Sequence, residues 1–342
     1  MRRGPNGLRR SLVSMEQRIL GRTGRNVSII GLGTWQLGGD WGDVSEHDAR
    51  AVLDASRQAG VTFFDTADVY GGGRSEAIIG AWLRDHPDPE VVVATKMGRR
   101  APLRAEFYTA ENFRAWTDDS RRNLGVDTLD LVQLHCPPTA VYESDRVFDA
   151  LDELVASGAI AAYGVSVEET AQALTAIARP GVASVQIVFN AFRLKPLDEV
   201  LPAAADAGVG VIARIPLASG LLSGRYKHDT KFAPNDHRTY NRSGAAFDVG
   251  ETFSGVDFDE GVEAAKEFSA LAEDMGLAPA AAALAWITQQ PGVTTVIPGA
   301  RSEAQAVANA EAGAIPDLGT EFDAAVHELY DRRFRAAIHG RW

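Results

Sequence analysis

Apolar, β-prone runs recur along this chain, and each is followed by roughly 30 to 40 residues that carry one amphipathic helical pattern before the next run. Parallel strands require that rhythm, because two parallel strands cannot be joined by a tight turn and need a crossover connection. Three early runs end at or near a functional group: Val61-Thr62-Phe63-Phe64-Asp65 with Tyr70 five residues on, Val91 to Lys96, and Leu129 to His135. If these are successive strands of a closed barrel, their C-terminal ends lie on one face, where the connecting loops build active sites. The expected architecture is therefore α/β, a (β/α)8 TIM barrel in which an acid, a phenol, an amine and an imidazole share one pocket. A lone charge at a strand end is ordinarily a cap or a solvated group. Three such endings in register are hard to assign to that cause.

The periodicity places barrel strands at 28–32, 61–65, 91–95, 129–134, 159–165, 184–188, 209–213 and 293–297. Helical patterns fall at 46–59, 75–84, 110–124, 144–156, 168–177, 196–207, 262–275 and 279–289, with a further helix from Ser302. A short hairpin at 20–27 precedes the barrel, with Gly24 and Asn26 supplying turn geometry. After strand seven the rhythm breaks: residues 219–259 are rich in Gly, Ser, Asn, Asp and Arg. Structureless stretches of that length are lids or disordered segments, and the position on the expected active face favours a lid. The tail at 322–342 is expected to lie beyond the barrel.

Among 342 residues, 45% are hydrophobic and 23% charged, ample for a core, and no linker divides them. One domain is expected over 15–342, preceded by a basic tail at 1–14, with Arg2, Arg3, Arg9 and Arg10, that reads as disordered. That tail lacks the apolar segment of a secretory signal. A net charge of −12 argues against non-specific nucleic-acid binding, yet is compatible with a local basic pocket. Cys136 is the sole cysteine, so no intramolecular disulfide forms and nothing calls for an oxidising compartment. No apolar run approaches the ~20 residues of a membrane span. The expectation is a cytoplasmic protein whose partner is a small molecule rather than a nucleic acid or a membrane, with its oligomeric state left open.

If the barrel closes, Lys96 lies beside Asp65 and Tyr70. An adjacent cation favours phenolate over phenol and lowers a tyrosine pKa from its usual ~10, so Tyr70 is expected to donate a proton near neutral pH while Asp65 holds Lys96. His135 would orient a carbonyl oxygen or assist the transfer. This set suits reversible carbonyl reduction. No metal is expected, because an ammonium opposes a cation and His47, His86, His228 and His237 have no ligand spacing. No G-x-S-x-G elbow is present, and Cys136 reads as a buried thiol. Hydride chemistry needs a cofactor, but Gly31-Leu32-Gly33 lacks the third glycine of a dinucleotide fingerprint. The better phosphate candidate is the segment 297–305, where a strand delivers Gly299 and Arg301 into a helix N-terminus. A plain helix capped by Ser302 is the competing explanation.

These residues resemble the aldo-keto reductases, specifically a bacterial branch of general oxidoreductases related to potassium-channel β-subunits. Phe64-Asp65-Thr66-Ala67-Asp68-Val69-Tyr70-Gly71, Ala94-Thr95-Lys96 and Leu131-Val132-Gln133-Leu134-His135 are similar to that family's catalytic segments, in order and at similar spacing, and the likeness extends over about 15–342. The resemblance implies Tyr70 as general acid, Lys96 and Asp65 as its tuning pair, and His135 as substrate-orienting. It implies NADP(H) contacts from Gly33, Thr34 and Trp35, from Ser166 and Gln186, from Pro216, Leu217, Ala218, Ser219, Gly220 and Leu221, and from Arg225. Gly299, Arg301, Ser302, Gln305 and Asn309 match the adenosine and 2′-phosphate segment. Two positions depart: Arg214 stands where many members stack an aromatic ring on the nicotinamide, and Val167 where many have Asn. Arg301 and Gln305, with no acid at the ribose-reading turn, favour NADP(H) over NAD(H), although Glu303 lies one residue into the helix. Trp35, Trp41, Tyr108 and Trp116 are candidates for an apolar substrate wall. The opposing reading is a cofactor-binding regulatory module with little turnover, like the channel β-subunits.

Overall fold

In the computed structural model, which describes residues 15–39, 41, 44–87 and 90–342, two hairpin strands lead into eight parallel ones. The expected tail at 1–14 lies outside the described residues. The hairpin pairs β1 (Gln17–Ile19) with β2 (Asn26–Ser28), antiparallel, and Gly24 takes φ +68° in its turn. The barrel strands follow in chain order: β3 (Leu32–Gly33), β4 (Phe63–Asp65), β5 (Val92–Met97), β6 (Leu131–His135), β7 (Tyr163–Ser166), β8 (Val182–Val188), β9 (Gly210–Arg214) and β10 (Thr295–Val296). Each pairs in parallel with its sequence neighbour. Closure between the last strand and the first rests on single bridges, Ile30 with Val296 and Gly33 with Gly299. Gly31 donates to the Val296 carbonyl at 2.8 Å and Gly33 to that of Pro298 at 3.0 Å.

Strands one and eight are shorter than 28–32 and 293–297. Ser28 is taken by the hairpin, opposite Gln17. At the seam, a Cβ on Gly33 would stand 2.9 Å from the Ile297 carbonyl oxygen, so the closing strands meet backbone to backbone without a continuous ladder. The hairpin plugs the bottom: Leu20 and Val27 join Phe63, Val92, Ala94, Leu131, Ile212 and Ile297 in an apolar cluster inside the barrel.

The surrounding helices bury their apolar stripes on the outer face of the sheet. Residues 46–58, 74–85, 110–124 and 145–156 are helical, close to expectation. Ser45 caps the first of these by accepting from Asp48 N at 3.1 Å. Helix Val200–Ala207 starts later than 196, because Pro196 lies in a separate 3-10 turn, Lys195–Leu197. Helix Phe258–Asp274 begins inside the stretch read as loop, with Asp257 accepting from the backbone of Asp259 and Glu260. The excursion before it is built of 3-10 turns at Ala218–Ser223, Val249–Glu251 and Phe253–Gly255 and one helical turn at His237–Tyr240. The tail is helical and folds back. Its last residue, Trp342, lies with Arg193 3.8 Å over its ring and donates from Nε1 to Asp248 at 3.0 Å, under the excursion.

Candidate active site

Side chains alternate across a strand, so the inward positions of the barrel form layers. Phe63, Val92, Ala94, Leu131 and Ile212 fill the lower layer with apolar surface. One step toward the C-terminal end the same alternation brings in Asp65, Lys96, Gln133, His135, Gln186 and Arg214, all buried. Lys96 Nζ donates to Asp65 Oδ1 at 2.5 Å, to the Thr66 carbonyl at 3.0 Å and to Tyr70 Oη at 3.3 Å. All three of its protons are thus engaged. Asp65 Oδ2 accepts from Gln133 Nε2 at 3.1 Å and Gln186 Nε2 at 2.8 Å. A buried ion pair is tolerable only when its remaining lone pairs are satisfied, and the two amides supply that. Gln133 was missed in the sequence, although it stands two residues before His135 and therefore on the same face.

Tyr70 is carried by a turn rather than by a strand. It opens a 3-10 turn continued by Gly71, Gly72 and Gly73, all at positive φ. A Cβ on Gly71 would fall 2.2 Å from the Gly38 carbonyl oxygen, so this turn and the Trp35–Gly38 turn touch through bare backbone. Trp35 then stacks on the Tyr70 ring, with centroids 5.9 Å apart, and the His135 ring meets it edge-on at 5.9 Å.

Lys96 does not bring the phenol pKa below its ordinary value, contrary to the expectation from sequence. In the structure burial raises it above its ordinary value, and Lys96 offsets only part of that rise. Burial also disfavours the ammonium, but Asp65 and Tyr70 together outweigh it and keep Lys96 charged. His135 is pressed well below the ordinary histidine range by burial and then by Arg99, Lys96 and Arg214, so its imidazole is neutral, and its buried Nδ1 has no hydrogen-bond partner among the described residues.

Beside His135 lies an ionic cluster with no local sequence signal. Arg99 donates to the His135 carbonyl at 3.2 Å, to Glu168 at 3.0 Å and to Glu251 at 2.7 Å. Arg214 donates to the Val167 carbonyl at 2.9 Å, and its Nη1 lies 3.7 Å from Glu251. Burial raises Glu168 to about 8, with Glu251 adding to the rise, whereas Arg99 and Arg214 overcome the burial of Glu251 and hold it near 2. Cys136, also buried, is pushed up to about 12. The donor atoms of Cys136, Glu168 and Glu251 lie within 4.8 Å of one another, but the two guanidiniums already supply the positive charge a metal would bring.

Above this floor opens a cleft of about 570 Å³. Of the sequence candidates, Gly33, Thr34, Trp35, Asp65, Tyr70, His135, Ser166, Gln186, Arg214, Pro216, Leu217, Ser219, Gly220, Arg225, Gly299, Arg301, Gln305 and Asn309 all line it. Lys96 sits directly beneath. Ala218 and Leu221 are fully buried in the core instead, and Ser302 caps helix Glu303–Glu311 by accepting from Gln305 N. Gln305 Oε1 accepts from Arg301 N at 2.8 Å, and Asn309 Nδ2 donates to the Gly299 carbonyl at 3.2 Å, so both shape the turn that presents Arg301. Trp41 joins the wall, whereas Tyr108 and Trp116 pack with Phe113 in the core. The excursion contributes Tyr226, Lys231, Phe232, Arg238 and Glu251, which the sequence did not single out. Among the described residues, the lining carries Arg214, Arg225, Lys231, Arg238 and Arg301 against only Asp65 and Glu251, in a chain of net charge −12. A basic cleft ending at a helix N-terminus fits a ligand with phosphates at one end.

The sequence model of the aldo/keto reductase family matches residues 29–331. An uncharacterised oxidoreductase of Mycobacterium tuberculosis is 35% identical over 323 residues, 92% of this chain and 93% of the relative. A probable voltage-gated potassium channel subunit beta of Oryza sativa subsp. japonica is 33% identical over 87% of this chain and 91% of its own. Among solved structures, the aldo-keto reductase of Klebsiella pneumoniae in complex with NADPH superposes with a TM-score of 0.70 at 25% identity, covering 93% of this chain and 96% of the other.

Proposed function

Since the chain belongs to the aldo/keto reductase family, we propose that it interconverts aldehydes or ketones and alcohols with NADP(H) and that Tyr70 is the proton donor. The observation that carries this reading is the Lys96 ammonium, hydrogen-bonded at once to the Asp65 carboxylate and to the Tyr70 phenol at the cleft floor. Bound nicotinamide supplies the hydride. The protein's own residues manage the proton. Burial keeps the phenol protonated through the neutral range, and Lys96 stabilises the phenolate as the proton leaves toward the carbonyl oxygen. Asp65, held by Gln133 and Gln186, fixes Lys96 in place. Neutral His135 orients the oxygen without competing for that proton. In the oxidising direction the phenolate takes the proton back.

The residues present fit the cofactor. Arg225, Arg301 and the N-terminus of helix Glu303–Glu311 would hold its phosphates, and Ser166 and Gln186 its amide end. Arg301 would grip the 2′-phosphate, since Glu303 does not line the cleft. Trp35 and Trp41 would give a small carbonyl substrate an apolar wall.

Similarity to the rice channel subunit favours one other reading, a nucleotide-binding regulatory module. Mixing the protein with NADPH and a panel of reactive aldehydes, while following nicotinamide absorbance, separates the two. Steady consumption of NADPH is expected. Tight binding without turnover would instead support the module.

A further inference from the structure

We infer that Arg214 makes the cleft discriminate between the two oxidation states of its cofactor, so that NADPH binds more tightly than NADP+. The inference rests on the NADP(H) reading above.

The cleft has two chemically different ends. Arg225 and Arg301, both exposed, mark the end at the helix N-terminus. The Tyr70 phenol and His135 mark the other, and a hydride can reach a carbonyl carbon there only if the reacting ring lies at that end. Arg214 belongs to it. It closes β9 opposite Val188, lines the cleft, and is more than nine-tenths buried. Its Nη2 is spent on the Val167 carbonyl and approaches Cys136 Sγ at 3.6 Å. Its Nε is buried with no hydrogen-bond partner among the described residues, and its Nη1 comes no closer to Glu251 than 3.7 Å. The guanidinium is therefore fixed in place but incompletely neutralised.

The surrounding charges do not cancel it. Lys96 and Asp65 offset each other. Arg99, Arg193 and Arg214 face Glu168, Glu251 and, farther out, Asp248. Burial and Glu251 raise Glu168, which weakens its negative charge at neutral pH, so the corner keeps an excess of positive charge. Burial is the main cause of the low His135 pKa, and Arg99, Lys96 and Arg214 push it down further, as positive charges nearby do to an imidazole. NADP+ differs from NADPH at the ring by one positive charge, and the rest of the molecule is the same. A buried cation beside that ring penalises the oxidised form alone. An aromatic ring at this position would act oppositely, because its face attracts a cation. The bound couple is thereby shifted toward NADPH by about 30 mV for each tenfold difference in affinity, and NADP+ is readily released after reduction.

Quenching of the fluorescence of Trp35 and Trp41, which line the cleft, measures each dissociation constant without turnover. The parent is expected to bind NADPH at least ~10-fold more tightly than NADP+. Arg214→Gln should bring the two within about threefold, chiefly through tighter NADP+, and Arg214→Lys should keep most of the parent's preference. A parent that binds both forms equally, or a preference unchanged in Arg214→Gln, overturns the inference while leaving the NADP(H) reading intact. Failure of the parent to bind either nucleotide would overturn both.

Discussion

Lys96 spends three hydrogen bonds on a carboxylate, a carbonyl and a phenol, and it is buried. Its replacement therefore has a sign that can be worked out. Reduction needs the protonated phenol, whose pKa burial has raised, so the rate is expected to stay flat through neutral pH and to fall only on the alkaline side. Lys96→Met removes the cation that lowers that pKa. The alkaline limb should move to higher pH, and the plateau should drop by at least ~100-fold, the lower range of a general acid's contribution. A pH–rate profile of the same shape as the parent's would contradict the coupling. Asp68, two residues before Tyr70, offers a second test. Burial raises its carboxyl to about 7, and Arg100, whose Nε lies 3.2 Å from Oδ2, offsets only part of the rise. An acid whose folded pKa lies above its unfolded ~3.9 holds its proton longer in the folded state, so stability falls as pH rises from about 4 to 7. The effect is on the order of a few kcal/mol. Asp68→Asn should escape that loss, and the melting-temperature difference from the parent should widen in its favour across this window. A constant difference would mean that Asp68 is not desolvated as described.

At the scale of elements, helix Glu303–Glu311 and the turn before it present Arg301 to the cleft. Arg301→Ala should raise the Michaelis constant for NADPH by ~10-fold or more, given the roughly 1.5 to 3 kcal/mol of a charge-assisted hydrogen bond, and leave that for NADH nearly unchanged. Equal losses for both would show that Arg301 only supports the loop, through the bond its guanidinium donates to the Trp41 carbonyl. This helix was legible in the sequence because Ser302 and the alanine-rich run behind it are local signals. The strand ends were legible for the same reason, since a two-residue period aims Asp65, Lys96 and His135 inward together. Strands one and eight are shorter than their apolar runs, because those residues continue past the ladder and pairing at the seam comes down to single bridges at Ile30 and Gly33. The excursion was recognised by its position and lack of period, but not its contents. Glu251 is held by Arg99 and Arg214, residues distant in sequence, and no local pattern encodes such a partnership. Tyr108 and Trp116 were misplaced for a related reason, because whether a loop aromatic faces a cleft or the core is a tertiary matter.

In the molecule as a whole, one barrel keeps two chemistries apart along its axis. The hairpin end is sealed with apolar side chains, and the layer above carries the buried Asp65–Lys96 pair, with Gln133 and Gln186 donating to the second Asp65 oxygen. An acidic chain of net charge −12 thus carries a basic cleft, which would gather an anionic nucleotide locally against the charge of the chain as a whole. If the proposed function holds, this cleft binds NADP(H) and Tyr70 alone passes the proton at its floor. Tyr70→Phe tests it most directly, because it removes one oxygen and keeps the ring that stacks on Trp35. NADPH affinity, read by fluorescence, should stay within about threefold of the parent, while turnover of an aldehyde the parent reduces should fall by at least ~100-fold. Turnover retained alongside unchanged NADPH binding would contradict the account.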